Sequence, residues 1–103
     1  MNTSARVRLD LNNVAFQEQL FDLSKEDQRR VLASLRKLSK MTWDQVYGDP
    51  GLKWEAVLSR SGPRGQRLYS LRMGKGLRAA AFREEDFLKL LSLHPDHDST
   101  YRR

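Results

Sequence analysis

The sequence contains no cysteine, which removes a disulfide framework and any thiolate chemistry. It has no long apolar run. Nothing approaches the roughly 18 consecutive apolar residues of a membrane-crossing helix, and the first residues, through Arg6, Arg8 and Asp10 to Leu11, lack the apolar segment of a secretory signal. The expected compartment is therefore the cytoplasm, with no membrane partner. Internal repeats, low-complexity tracts and linkers are also missing, so the 103 residues read as one domain over 1–103. With 39% hydrophobic and 31% charged residues the chain is globular rather than disordered.

What is present in excess is positive charge. The net charge is +6 and the sequence pI about 10.1. Residues 1–50 hold eight Lys/Arg against seven Asp/Glu, whereas residues 51–103 hold eleven against six. The surplus thus sits in the second half. Either it keeps the chain soluble or it attracts a polyanion, and nucleic acid is the polyanion such asymmetry points to.

Periodicity divides the chain in the same place. Residues 6–11 alternate polar and apolar, as in a strand with one buried face. Asn12 and Asn13 can cap a helix, and Phe16, Leu20 and Leu23 then mark one stripe. Ser24 to Asp27 resembles a capping box opening a second helix whose stripe is Val31, Leu35 and Leu38. The pattern predicts helices over about residues 12–23 and 24–40. Lys25, Arg29, Arg36 and Lys40 share a face turned away from that stripe, as a solvated face or an RNA contact. A further capping box, Thr42 to Gln45, starts a short turn ending by Gly48.

After Asp49-Pro50-Gly51 the period becomes two. Trp54, Ala56 and Leu58 alternate with Glu55, Val57 and Ser59; residues 61–65 turn; Leu68 to Met73 is strand-like; Gly74-Lys75-Gly76 is a hairpin tip; Leu77 to Arg83 is the next strand. Phe87 to Leu93 is apolar on both faces except Lys89, which suits a central strand, and the polar tail from His94 to Tyr101 could include a helical turn. Helices followed by a block of strands give an α+β fold: an N-terminal strand, a helical hairpin, then a curved, mainly antiparallel sheet. Val31, Leu35, Leu38, Trp54 and Leu71 are expected in the shared core.

In order and spacing, Gly51-Leu52-Lys53-Trp54-Glu55, Tyr69-Ser70-Leu71-Arg72, Leu77-Arg78-Ala79-Ala80 and His97-Asp98-Ser99-Thr100-Tyr101 make the chain resemble the RelE/ParE toxin superfamily, over nearly its whole length. The resemblance implies a toxin that pairs with a cognate antitoxin. It also implies either of two activities: a messenger-RNA endonuclease working at the ribosome, or a non-catalytic poison that binds DNA gyrase. A remnant that keeps the fold and only binds a partner is a third reading. Fold alone does not choose between them, and oligomeric state is open.

Cleavage by a 2′-hydroxyl needs a base for its proton, cations for the phosphate charge and an acid for the leaving 5′-oxygen. Arg72 and Arg78 flank the hairpin tip, within reach of one phosphate that a guanidinium can hold bidentately; they match catalytic positions of the ribonuclease members. Ser70 stands where those members can carry a lysine. Glu55 resembles the acidic general base of a subgroup that also bears a terminal His and Tyr, here His97 and Tyr101, four apart and on one face if the tail is helical. Pro95 falls near an arginine position of another subgroup and departs from it. Each of these residues has a plainer reading, as a soluble sheet face or a polar terminus. Lys53, Lys75 and Arg83 are expected phosphate contacts, with His94 a further RNA contact. Trp43 and Trp54 serve as core packing or as base-stacking platforms. His94 and His97 with Asp96 and Asp98 hint at a metal, but His-x-x-His lacks further ligands and Pro95 constrains the backbone. No metal or cofactor is expected.

Overall fold

The computed structural model describes residues 4–95, which form β1 (Arg8–Asp10), α1 (Val14–Asp22), α2 (Lys25–Ser39), α3 (Trp43–Gly48), β2 (Glu55–Ser61), β3 (Arg67–Gly74), β4 (Leu77–Glu84) and β5 (Phe87–Pro95). Each helix begins where a side chain satisfies an otherwise unpaired backbone N–H. Asn13 Oδ1 accepts from Phe16 N at 3.1 Å, and Ser24 Oγ from Asp27 N at 3.1 Å. At Thr42 the capping box is complete, with Gln45 N donating to Thr42 Oγ1 and Thr42 N to Gln45 Oε1. None of the described helices is long and apolar enough to cross a membrane.

The strands form one mixed sheet in the order β1-β5-β4-β3-β2. β1 runs parallel to β5, and the other pairs are antiparallel. α1 lies against β5, and α2 against β3 and β1. Phe16, Val31, Leu35, Leu38, Trp43 and Val46 meet Leu71, Met73, Ala79, Ala81, Leu88, Leu90 and Leu93 in a single core. Two polar ties fix the helices on the sheet. Ser34 Oγ donates to Met73 O at 2.8 Å, and Leu93 N donates to Gln19 Oε1 at 2.6 Å, close to the register shift between Ala80 and Ala81.

The expected α+β order is realised, and three local readings change. The strand beginning at Phe87 is interior, between β1 and β4, but the strand buried on both faces is its neighbour β4 at the middle of the sheet. Leu77 to Phe82 are all buried, with Ala79 and Ala81 in the core beneath the helices. His94 and Pro95 belong to β5 rather than to a polar tail, because Arg78 and Leu77 supply pairing partners for them. β2 has no apolar buried face: Leu58 is 84% exposed and Trp54 only partly buried, since an edge strand lies beyond the reach of α1 and α2.

Candidate functional site

Strand alternation sends Leu71 and Met73 into the helix-covered core and their neighbours Ser70 and Arg72 to the opposite face. Pairing then lines up two rows across that open face. Arg72 pairs with Arg78, and Arg78 with His94; Glu55 pairs with Ser70, Ser70 with Ala80, and Ala80 with Ser92. Residues up to 37 positions apart are thereby set in one row.

Arg78 anchors the arrangement. It is the one charged residue buried as a whole among the described residues, at 8% exposure. A buried guanidinium needs partners, and its partners fix its orientation. Nε donates to Ser70 Oγ, and Nη2 donates to the Lys53 carbonyl at 2.7 Å. The Glu55 carboxylate lies 3.9 Å from Nη2 and is two-thirds exposed. The Nη1 end is uncommitted among the described residues. Cation and carboxylate thus stand together with one rigid and one solvent-facing.

The Lys53 carbonyl is delivered by an unusual backbone. Lys53 has φ of 51°, in the left-handed region that a non-glycine residue enters at a cost. The segment before it is braced. Asp49 Oδ1 accepts from Gly51 N at 2.7 Å and Leu52 N at 3.3 Å, while Asp49 Oδ2 meets Lys37 Nζ of α2 at 3.0 Å. The Lys37 contact is the main reason the Asp49 carboxyl is held below its usual range. Arg72 N donates to Leu52 O at 2.7 Å, tying the loop to β3. Both arginine positions therefore hold the same corner.

The structure brings together Glu55, Arg72, Arg78 and His94 of the expected site residues, with Lys53 at the corner and Lys75 exposed at the hairpin tip. His97 and Tyr101 lie outside the described residues. Arg83 is not part of the group. It sits five positions after Arg78, so alternation turns it to the helix side, where it pairs with Leu88. Its guanidinium covers the Trp43 ring at 4.5 Å, donates to Tyr47 Oη at 3.0 Å and meets Asp86 at 3.7 Å, with its side chain 5% exposed. The expected phosphate contact is a packing residue here. Ser70 was legible only as an absent cation; its parity with Arg78 across the hairpin is the signal that marks it as that residue's anchor. Among the described residues no three side chains of metal-ligating type gather at one point.

The arrangement of strands and helices has a precedent. A RelE–RelB complex from Pyrococcus horikoshii contains a chain that superposes with a TM-score of 0.58, at 22% identity, covering 91% of this chain and 97% of that one. The fold is RelE-like. A copper-bound mutant toxin from Helicobacter pylori is also similar, with a TM-score of 0.46 and 18% identity over 93% of this chain and 98% of that one. No family model and no curated protein matches the sequence. In this RelE-like fold the open face and its paired arginines are carried by β2 to β5, the basic half of the chain.

Proposed function

We propose that this chain is the toxin of a toxin–antitoxin pair, acting in the cytoplasm as an endoribonuclease on messenger RNA at the ribosome. The observation that supports it is Arg78, buried and oriented by Ser70 and the Lys53 carbonyl, with Arg72 beside it and the Glu55 carboxylate at 3.9 Å. The substrate's 2′-oxygen attacks phosphorus while Glu55 takes its proton. Arg78 and Arg72 hold the phosphate as charge builds on it. The P–O5′ bond breaks and the 5′-oxygen takes a proton, from His97 or Tyr101. A cyclic phosphate and a 5′-hydroxyl result, and the step uses no metal. Lys53 and Lys75 contact flanking phosphates, with His94 a further RNA contact beside Arg78. The partner is an antitoxin that folds an acidic or amphipathic segment onto the basic face; the RelE–RelB complex is the precedent.

Arg78→Ala should lower RNA cleavage on the order of 10²–10³, and His97→Ala or Tyr101→Phe about 10²–10⁴, each measured beside a thermal melt. Full cleavage by a folded Arg78→Ala protein would remove Arg78 from the mechanism. One observation favours a second reading, a non-catalytic toxin directed at DNA gyrase. Ser70 replaces a possible cation and spends its hydroxyl on Arg78, leaving less charge to stabilise a transition state. Primer extension after induction separates the two: codon-phased cuts support cleavage, whereas intact RNA with a DNA-damage response supports the gyrase reading.

A further inference from the structure

The same two strands that carry the site on one face carry an aromatic recess on the other. Ser70 and Tyr69 are neighbours on β3, as are Glu55 and Ala56 on β2, and in each case alternation turns them to opposite sides. On the helix side Trp54 stacks on Tyr69, with ring centroids 4.6 Å apart and planes 14° from parallel. Tyr47 closes one wall, its ring 6.0 Å from Trp54, and Gln66, Arg67 and Arg83 complete the lining of a recess of about 510 Å³. This volume is ample for a nucleobase and its sugar.

Packing alone does not account for these side chains. Trp43, the neighbouring indole, is fully buried and donates its Nε1–H to Asp86 O at 3.0 Å. Trp54 and Tyr69 remain only partly buried, and Tyr47 is 45% exposed. Tyr47 is nevertheless held in place, because its hydroxyl accepts from Arg83 Nη1 at 3.0 Å while Arg83 is itself clamped over Trp43. Having accepted that bond, the hydroxyl keeps its own proton to donate. Gln66 is fixed too, its Oε1 accepting from Arg64 N at 2.8 Å, which leaves its amide NH₂ as a rim donor. Arg67 is exposed and supplies positive charge at the mouth.

We infer that the Trp54–Tyr69–Tyr47 recess binds an unpaired nucleobase of single-stranded RNA, with Arg67 on the adjoining phosphate. Pre-positioned aromatic surface gives sequence-tolerant stacking, and a nearby cation suits the phosphate that accompanies every base. A stacked base and its phosphate use the rings and the arginine together; a recess that instead takes an amphipathic acidic segment would leave Trp54 unmoved by an oligonucleotide. The recess is lined from α3, from Trp54 just before β2, and from β3 and β4. This assignment rests on the proposal that the chain engages RNA, but it makes its own demand on the binding data.

The probe is a six-nucleotide 2′-O-methyl oligoadenylate, which cannot be cleaved. The sequence has only two tryptophans, so the two indole N–H resonances report separately. The Trp54 resonance should move in a saturable way and the Trp43 resonance much less. Arg67→Glu and Tyr69→Ala should each weaken that response about tenfold or more, with the melt of Tyr69→Ala recorded alongside. Arg67 is exposed, so its reversal tests the recess without disturbing packing. The inference fails if Arg67→Glu and Tyr69→Ala leave the Trp54 response unchanged. It fails equally if the oligonucleotide moves open-face resonances while Trp54 stays still, an outcome that leaves the endonuclease proposal standing. Absence of any response on either face would sink both.

Discussion

Ser70 and Lys53 decide what Arg78 can do. A guanidinium on a solvated strand would sample many rotamers, but here a hydroxyl and a backbone carbonyl use its Nε and Nη2 donors and aim the remainder. Ser70→Ala should therefore act in two ways. Leaving a buried charged donor without its partner costs on the order of 1–3 kcal/mol, read as a lower urea midpoint with unchanged m-value. Cleavage should fall as well, because Arg78 loses its aim while keeping its charge. An Ser70→Ala protein as stable and as active as the parent would show that Ser70 does not orient Arg78. The fate of Arg83 follows from the same rule of alternation. The odd spacing from Arg78 was present in the sequence and placed the two arginines on opposite faces, whereas counting charges along the strand grouped them together.

Between elements, the long connection after α3 is held by one carboxylate. Asp49 joins α2 through Lys37 and shapes the turn that leads to the left-handed Lys53. The Lys37 contact lowers its carboxyl below the ordinary value of 3.8. A carboxyl depressed by folding stabilises the native state above its ordinary range, and that contribution is lost as pH falls through the lowered folded value. Glu84, lowered chiefly by Lys89 across the β4–β5 turn, acts in the same direction. Stability should thus decline below about pH 4. Asp49→Asn keeps an oxygen for Gly51 and Leu52 but removes the charge. At neutral pH it should cost less than about 1 kcal/mol, as half-exposed ion pairs do, and the acid limb of its stability curve should be shallower. An unchanged acid limb would show that Asp49 does not contribute to acid sensitivity. The helices themselves were readable from stripe and cap, and Thr42 with Gln45 closes the box expected of it.

For the molecule as a whole, most of the lysines and arginines of residues 51–95 stand on the strands of one sheet and the others in the loops beside them. If Lys53, Arg72, Lys75 and Arg78 each neutralise one phosphate, the affinity for an uncleavable single strand should fall with salt. At ~0.7 per phosphate on logarithmic axes, the slope is about −3. Lys75→Ala, at the exposed tip, should flatten it by about 0.7 without altering the melt. A slope near zero would mean that the basic face serves solubility alone. The sequence by itself determined the element order, the helix starts, the hairpin at Lys75-Gly76 and the location of the charge, because capping, periodicity and turn chemistry act over a few residues. It did not determine that β4 lies at the centre, that β5 runs on through His94 and Pro95, or that Glu55, Ser70 and Arg78 come together on one face. Those depend on strand order and register, and a shift of one residue in register would send every side chain to the other face of the sheet.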